Sequence, residues 1–339
     1  MTPEAAMRAA IAEAERVKGS TYPNPPVGAV ILNADGEIVG TGGTQPVGGP
    51  HAEVMALRQA GAAARGGTAV VTLEPCNHHG RTPPCVEALL AAGVSRVVFA
   101  VSDPNPEAAD GAAALTEAGV EVLAGVLAGD VESGPLREWL HKQRTGRPHV
   151  TWKFAGSIDG RSAAADGSSQ WITGPVARAD VHRRRAACDA IMVGTGTVFA
   201  DDPRLTARTP EGELSEHQPL RVVVGMREIS QDANVLNEDS RTMLIRTHDP
   251  HEVIRSLNDR TDVFIEGGAT LASAFLRAGL VDRILAYVAP ILLGGPNSVV
   301  DDVGVASIGR ASRWRYDVIE HVGPDLLLSL VPDPASEPD

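Results

Sequence analysis

Short apolar runs rich in β-branched residues alternate along the chain with longer stretches in which apolar residues recur at helical spacing. In the first half this pattern predicts helices over about 3–17, 51–64, 84–92 and 107–118. The same half is predicted to hold a hairpin joining Val27–Leu32 to Ile38–Thr41, then strands at Thr68–Leu73, Arg96–Val101 and about 120–123. Alternating strands and helices are typical of a layered α/β domain.

The alternation is interrupted near residue 146. A charged helical stretch, GPLREWLHKQRTGRPH, ends at Gly146 and Pro148, which together indicate a helix stop followed by a new extended segment. We therefore predict one domain over residues 1–146 and a second over 147–332. The remaining residues, 333–339, are rich in proline and acidic side chains and are predicted to be disordered.

The second half has the pattern of another α/β domain. A strand is predicted within VTWKFAGSIDG, and helices over about 175–187 and from GGATL to about 279. Further strands are predicted at Ala190–Gly194, Arg221–Gly225, Thr242–Arg246, Val263–Glu266 and Arg283–Val288. The half closes with a hairpin in which RYDVIEHV and LLLSLV flank the turn GPD, so we expect an antiparallel ending.

Composition narrows the function classes. The chain has 339 residues, 43% of them apolar and 22% charged, and no apolar run approaches the ~18 residues of a membrane span. The first residues lack the pattern of a secretory signal, so we expect a cytoplasmic protein without a membrane partner. A formal net charge of −13 and an aromatic content of 4% weigh against a nucleic-acid partner.

Candidate chemistry lies in two segments of the first half, HAE at His51–Glu53 and TLEPCNHHGRTPPC at Thr72–Cys85. His51 is predicted at a helix N-terminus, Cys76 after a strand and Cys85 at the start of the next helix. One histidine and two thiolates suit Zn²⁺ and leave the fourth tetrahedral position for water. Glu53 is then a carboxylate placed to move protons, as a hydrolytic zinc site requires.

One alternative stays open for the zinc site, and one cysteine lies outside it. His78 or His79 is a candidate fourth ligand, which would close the zinc site and make it structural. The third cysteine, Cys188, lies in an apolar run and is predicted to be an inert core thiol.

The residues His51-Ala52-Glu53 with Pro75-Cys76 and Cys85 are similar to the signature of the zinc-dependent cytidine-deaminase superfamily. Eight residues separate the two cysteines here, where the general signature has two, and this spacing resembles the bifunctional riboflavin-biosynthesis deaminase/reductases, the RibD family. The resemblance extends through YPNPPVGAV, DPNP, SIDGRSA, SSQWIT, TVFADDPRLTAR, EGGATLA and VAPILLGG. It implies a cytidine-deaminase-like three-layer α/β/α domain followed by a dihydrofolate-reductase-like α/β domain.

The resemblance also implies two reactions on one phosphorylated ribosylaminopyrimidine. The first domain, with one Zn²⁺ per chain, deaminates 2,5-diamino-6-ribosylamino-4(3H)-pyrimidinone 5′-phosphate, and the second reduces the ribosyl group to ribityl with NADPH. His51, Cys76 and Cys85 would hold the metal, and Glu53 would carry protons. Asn24, His78 and Arg81 match positions around the deaminase substrate. From the residues alone, Asn24 is equally explained as a loop-capping side chain, and Arg81 as a solvated one.

Evidence from the residues alone is weaker in the second half. Strand Val263–Glu266 leads through Gly267-Gly268-Ala269-Thr270 into a helix, which suits a pyrophosphate but is also the form of an ordinary tight turn. Asp201 and Asp202 are explained equally well as a capped turn before Pro203. The resemblance places two sets of residues here. Cofactor-binding positions are matched by Gly156, Trp171, Thr197, Asp201, Gly268, Ala269, Thr270 and Leu271.

Substrate positions of the reductase are matched by Ser169, Arg185, Arg204, Arg208 and Glu266. Arginine pairs a phosphate with two parallel hydrogen bonds, although the run Arg183–Arg185 is equally consistent with a solvated helix face. Lys153 and Asp159 are lower-ranked candidates for polarising or protonating the sugar oxygen. The preference for NADPH is implied by the family alone, and no arginine is assigned to its 2′-phosphate.

Two other functions compete with this interpretation. A deaminase acting on polynucleotide would need a basic groove with stacking aromatic side chains. A zinc-stabilised binding module with a degenerate reductase domain would need no Glu53 chemistry. The family resemblance further implies a homo-oligomer, a dimer or larger.

Overall fold

The structure is a computed structural model and describes residues 1–80, 83–105 and 110–334. It divides into two compact units, Met1–Arg147 and Pro148–Asp339. The boundary predicted near residue 146 lies one residue from this division. Most of the tail predicted to be disordered, residues 335–339, lies outside the described residues.

The first unit is a mixed sheet with helices on both faces. Its five strands are β1 (Gly28–Leu32), β2 (Ile38–Gly43), β3 (Thr68–Leu73), β4 (Arg96–Val101) and β5 (Glu121–Ala124). Its described helices are α1 (Pro3–Val17), α2 (Ala52–Ala60), α3 (Cys85–Ala92), α4 (Gly111–Glu117), α5 (Ala128–Glu132) and α6 (Arg137–Thr145). The strand order is β2-β1-β3-β4-β5, with β3, β4 and β5 parallel.

Glycines let the helices approach this sheet closely. A Cβ placed on Gly28 of β1 would lie 1.9 Å from the carbonyl oxygen of Ala10 in α1. Neighbouring residues of β2 face opposite ways, because Gly42 meets the backbone of Ala52 in α2 while Gly43 meets Val17 in α1. The layers are therefore α1 on one face and α2 on the other, which is the predicted three-layer arrangement.

The second unit has a larger sheet. Its strands are β6 (His149–Ser157), β7 (Ala190–Gly194), β8 (Leu220–Val224), β9 (Thr242–Ile245), β10 (Asp262–Ile265), β11 (Arg283–Ala289), β12 (Trp314–Val322) and β13 (Asp325–Pro332). Its helices are α7 (Pro175–Ala187), α8 (Thr195–Asp201), α9 (Pro250–Ser256) and α10 (Ala269–Arg277).

The order of this sheet is β12-β13-β11-β6-β10-β7-β8-β9. Strands β11, β6, β10, β7, β8 and β9 run parallel; β13 pairs antiparallel with β11, and β12 pairs antiparallel with β13. The antiparallel ending predicted from the last hairpin is confirmed. After β7 the chain moves outward to β8 and β9, and β10 then returns to lie between β6 and β7, so the carboxyl ends of β7 and β10 enclose a crevice.

Several short helices were not predicted. Helix α8 occupies the segment between β7 and Asp202, where the sequence pattern predicts no helix, and the same holds for the segments of α5 and α9. Threonine, glycine and valine at the start of α8 have low helix propensity, so tertiary packing decides its conformation. The helix predicted over 51–64 is α2 followed by a 3₁₀ turn at Gly61–Ala64. Part of the helix predicted over 107–118 lies outside the described residues, and α4 covers Gly111–Glu117.

Among the described residues, no helix combines the length and the apolar character needed to cross a bilayer.

The contact between β1 and α1 generates a stability prediction. Gly28→Ala should lower the free energy of unfolding by at least about 2 kcal/mol, because the new Cβ cannot fit against the Ala10 carbonyl without moving the helix. Gly129→Ala in α5 is the matched control, since a Cβ there meets open space; it should leave stability unchanged or raise it slightly. Chemical denaturation of both variants checks this, and equal stabilities would contradict the packing account.

Candidate metal centre and cofactor cavity

Three elements of the first unit bring a histidine and two cysteines together. His51 is the N-cap residue of α2, Cys76 follows β3, and Cys85 is the first residue of α3. Helix N-termini carry a partial positive charge, so both helices favour ionised thiols at this place. The loop NHHGRTPP then connects the two cysteines, and its residues 81 and 82 lie outside the described part of the chain.

The ligand atoms of this cluster lie within 4.8 Å of one another. His51 Nδ1 is 3.5 Å from Cys76 Sγ and 3.3 Å from Cys85 Sγ. One imidazole nitrogen and two sulfurs are a donor set that fits Zn²⁺ and leaves one tetrahedral position without a protein ligand. Across the described residues, neither His78 nor His79 joins the cluster, and His79 instead pairs with Glu87 at 3.1 Å on the surface. The geometry thus favours an open site.

The electrostatics of the cluster favour both metal binding and proton transfer. The hydrogen bond between the two thiols lowers the pKa of Cys76 to about 4 and raises the pKa of Cys85, so one thiol of the pair ionises readily; His51 further lowers the pKa of Cys76. Burial raises the pKa of Glu53 to about 7, and the nearby charge of Cys76 adds to the shift. Glu53 is only 4% exposed in the first turn of α2. A carboxyl group that changes protonation near neutral pH is suited to carry a proton in both directions.

A cavity of about 350 Å³ opens onto this cluster, and His51, Glu53 and Cys76 line it. Asn24 also lines it, with its backbone fixed by hydrogen bonds in both directions to Thr21 at 2.9 and 3.0 Å. His78 lines it as well, and its buried Nδ1 atom has no hydrogen-bond partner among the described residues. Arg81, predicted beside them, lies outside the described residues.

Two carboxylates in this cavity were given no role from the sequence. Glu74 follows β3, and its Oε1 and Oε2 atoms accept hydrogen bonds from the backbone N–H of Ala112 at 2.9 Å and of Asp103 at 3.4 Å. Both Glu74 and Asp103 line the cavity, and burial raises the pKa of Asp103. Their positions in the sequence could have indicated a place in the site. Each residue comes just after one of two neighbouring parallel strands, β3 and β4, and the carboxyl ends of these strands share one edge of the sheet.

The second unit holds a larger cavity of about 690 Å³ at the carboxyl ends of its central strands. Gly194 ends β7, Glu266 follows β10, and both line it. A Cβ at Gly267 would lie 2.7 Å from Leu271 Cδ2, and one at Gly225 would lie 2.7 Å from Thr195 Oγ1. These two positions therefore have no room for a side chain. The N-terminus of α10 opens into the cavity, which fits the pyrophosphate of NADPH.

Most of the predicted cofactor positions lie around this cavity. Thr197 and Asp201 of α8 line it together with the turn Gly268, Ala269, Thr270 and Leu271. The Gly268 N–H donates to Thr197 Oγ1 at 3.2 Å, which joins the two helix starts. Two predicted positions are absent from the described lining. Gly156 packs against Val299, and Trp171 is 68% exposed, with its ring under the Arg178 guanidinium at 4.4 Å.

A buried ion cluster forms the floor of the cavity. Glu266 receives two hydrogen bonds from Arg185, Nε to Oε1 at 2.6 Å and Nη2 to Oε2 at 2.9 Å, and Lys153 Nζ lies 3.5 Å from Oε2. Burial opposes ionisation of Glu266, but the charges of Arg185 and Lys153 outweigh it and lower the pKa to about 2. Burial lowers the pKa of Lys153, and Glu266 partly offsets this. Ser169 lines the same cavity.

The remaining residues predicted around the substrate make contacts outside the ion cluster. Arg204 lies 3.6 Å from Asp239, and Arg208 Nη1 donates to the Gly212 carbonyl at 2.7 Å; neither lines the described cavity. Asp159 accepts hydrogen bonds from Ser157 Oγ and from the backbone of Gly294, so it fixes a turn.

The arginine run on α7 is not a uniformly solvated face. Arg183 and Arg184 bind the buried Asp180 through hydrogen bonds, while Arg185 turns to Glu266.

Comparison with known proteins assigns both units to families. Residues 1–101 match the cytidine and deoxycytidylate deaminase zinc-binding region, and residues 148–328 match the RibD C-terminal domain. The second of these domains is NADPH-dependent, in agreement with the cavity described above.

Relatives match the chain along nearly its whole length. The riboflavin biosynthesis protein RibD of Mycobacterium tuberculosis is 67% identical over 326 residues, which covers 96% of each chain. RibD of Escherichia coli is 41% identical and covers 98% of this chain and 100% of its own. Among solved structures, Acinetobacter baumannii RibD has a TM-score of 0.87 at 38% identity, covering 98% of this chain and 99% of that chain.

A Thermotoga maritima structure described as a diaminohydroxyphosphoribosylaminopyrimidine deaminase/5-amino-6-(5-phosphoribosylamino)uracil reductase has a TM-score of 0.89 at 32% identity, with 98% and 99% covered. The deaminase and reductase domains are both present here, in the same order and over the same length. The chain therefore belongs to the RibD family of bifunctional riboflavin-biosynthesis enzymes.

Proposed function

We propose that Met1–Arg147 deaminates 2,5-diamino-6-ribosylamino-4(3H)-pyrimidinone 5′-phosphate and that Pro148–Pro332 then reduces the product with NADPH. The end product is 5-amino-6-ribitylamino-uracil 5′-phosphate. The proposal rests on one observation, which is that two arrangements occur in the same chain. One is an open His/Cys/Cys cluster beside a buried carboxyl group, and the other is a glycine-lined cavity over a buried ion cluster. The first arrangement suits metal-assisted hydrolysis, and the second suits hydride transfer from a bound nicotinamide.

In the deaminase site, His51, Cys76 and Cys85 would hold zinc, which when bound supplies a Lewis acid that activates water. A Glu53 carboxylate oxygen accepts one proton from the attacking water and delivers it to the ring nitrogen. It then accepts the second proton, from the hydroxyl now on the ring carbon, and delivers it to the amine as the C–N bond breaks and ammonia leaves. Asn24 offers an amide donor and acceptor to the pyrimidine edge. The unpartnered Nδ1 of His78 is placed to bind a polar atom of the same substrate.

In the reductase site, the protein provides position and charge while the nicotinamide supplies the hydride. As the hydride forms a new C–H bond at C1′, the bond from C1′ to the ring oxygen breaks, and Lys153 donates a proton to that oxygen. Glu266 keeps its negative charge at every physiological pH because its pKa is about 2, so it orients Lys153 and does not itself give up a proton. Arg185 holds Glu266 in place through two hydrogen bonds.

We also propose that the chain acts in the cytoplasm as a homo-oligomer on a free small molecule. A thiolate metal site is maintained best in a reducing compartment. The charge of −13 disfavours nucleic acid. Exposed apolar side chains on the edge strand β12, including Tyr316 and Ile319, support self-association.

Glu53→Gln tests the deaminase assignment. The variant should keep one zinc per chain but release ammonia from the diaminopyrimidine ribosyl phosphate roughly 10²- to 10⁴-fold more slowly, because an amide cannot carry the proton. Reduction of substrate supplied already deaminated should continue at the wild-type rate. Metal analysis, ammonia release and the absorbance of NADPH measure the three quantities.

Glu87→Gln is the matched control, since Glu87 is an exposed carboxylate on the neighbouring helix α3 and does not line the cavity. It should behave as wild type. Ammonia release by Glu53→Gln at the wild-type rate would reduce the cluster to a structural role, and zinc-loaded wild type that releases no ammonia would reject the deaminase assignment.

Glu266→Gln tests the ion cluster through the pH dependence of stability. The folded pKa of Glu266, about 2, lies below its ordinary value of 4.5, so its stabilisation is complete above about pH 4.5 and is lost as pH falls through 2. The variant should be less stable than wild type by about 3 kcal/mol at pH 7, with a smaller difference at pH 3.

Denaturation curves at the two pH values measure this difference. Glu228→Gln is the control, because Glu228 is 84% exposed and its pair with Arg246, at 3.6 Å, is on the surface. A gap between Glu266→Gln and wild type that is the same at pH 3 and pH 7 would show that ionisation of Glu266 does not stabilise the fold.

A further inference from the structure

The chain turns sharply where β8 ends, and this turn places a cation over the large cavity. Gly225 has a φ of +134° and lies against Thr195 at the start of α8, which leaves no room for a side chain. The next residues, Met226 and Arg227, line the cavity. The Arg227 guanidinium lies 4.7 Å from the centre of the Phe199 ring in α8, a stacking distance.

Among the lysine and arginine side chains that line this cavity, Arg227 is the one that makes no hydrogen bond or ion pair with a described residue. Lys153 pairs with Glu266, and Arg277 donates to the carbonyl of Asp302. Arg227 forms no ion pair with a described carboxylate, and Phe199 contacts only the face of its guanidinium. The N–H groups in the guanidinium plane therefore remain available, and their planar arrangement matches a phosphate.

The order of the strands places Arg227 at the far end of the cavity from the ion cluster. Lys153 and Glu266 belong to β6 and the end of β10, whereas Arg227 follows β8, two strands beyond β10. His248, which follows the next strand, β9, lines the same end. With adjacent strands about 4.8 Å apart, an extended ligand that starts at Lys153 and crosses the Gly268 turn reaches Arg227 with its other end.

The carboxylates that line the cavity bear on the choice between NADH and NADPH. A site for NADH places an acidic side chain on the adenosine ribose, while a site for NADPH places an arginine near the 2′-phosphate. Within the described lining only Asp201 and Glu266 carry carboxylates, and Glu266 is neutralised by Arg185 and Lys153. Glu228, the residue after Arg227, turns away to Arg246.

We propose that Arg227, held by Phe199, binds the 2′-phosphate of NADPH and thereby sets the preference for NADPH over NADH. This inference rests on the proposed reductase function of the second unit. It places the nicotinamide near Lys153, the pyrophosphate at the Gly268 turn and the adenosine beside β8 and β9.

Equilibrium binding to the full-length protein tests the assignment without turnover. Calorimetric titration of wild type should show tighter binding of NADPH than of NADH. Arg227→Gln should weaken NADPH binding about 10- to 100-fold and change NADH binding less than about twofold. Adenosine 2′-phosphate should compete with NADPH on wild type and lose this ability on the variant. Phe199→Leu should give a smaller loss that is also confined to NADPH, because it removes only the stacking partner.

Arg246→Gln is the matched control, since Arg246 is a nearby exposed arginine outside the cavity lining; it should bind both dinucleotides as wild type does. Equal weakening of NADPH and NADH by Arg227→Gln would place Arg227 on a group that both cofactors share and overturn the proposal. Unchanged NADPH binding, or equal affinities in wild type, would overturn it as well. Wild type that binds neither dinucleotide would reject the reductase function itself.

Discussion

The chemistry of the first unit depends on one constraint, the meeting of His51, Cys76 and Cys85 within 4.8 Å. These residues come from the start of α2, the end of β3 and the start of α3, so the cluster forms only when the sheet and both helices are packed. Glycines such as Gly28 and Gly42 allow this close packing, so the cluster depends on them as well. Once assembled, the cluster would offer three ligands to a metal, and the cavity that Glu53 lines opens onto it.

The second unit has a different requirement. Hydride transfer needs no metal ligand, and the protein instead has to hold a long dinucleotide and a sugar phosphate in register. The parallel order of β6, β10, β7, β8 and β9 supplies a row of strand ends, and we propose that successive parts of the cofactor bind along it. Charge is distributed along this row, with the Glu266 cluster at one end and Arg227 at the other.

Much of this could be predicted from the sequence, because the informative residues are close together along the chain. The spacing of His51, Cys76 and Cys85 predicts the ligand set, and β-branched runs predict β3, β4 and β7 at their observed bounds. What could not be predicted depends on pairing between distant segments. Glu74 meets Asp103 only because β3 and β4 are neighbours, and Arg227 meets Phe199 only because β7 and β8 are. Helix α8 was missed because packing, and not propensity, determines its conformation.

X-ray absorption spectroscopy of the zinc-loaded protein tests most directly the claim that the metal centre is open. The account predicts two sulfur neighbours at about 2.3 Å, one imidazole nitrogen at about 2.0 Å and one further light atom that lacks the multiple-scattering pattern of an imidazole. A second imidazole in the spectrum would mean that His78 or His79 completes the coordination. The site would then be closed, and the role assigned to Glu53 would have no activated water to act on.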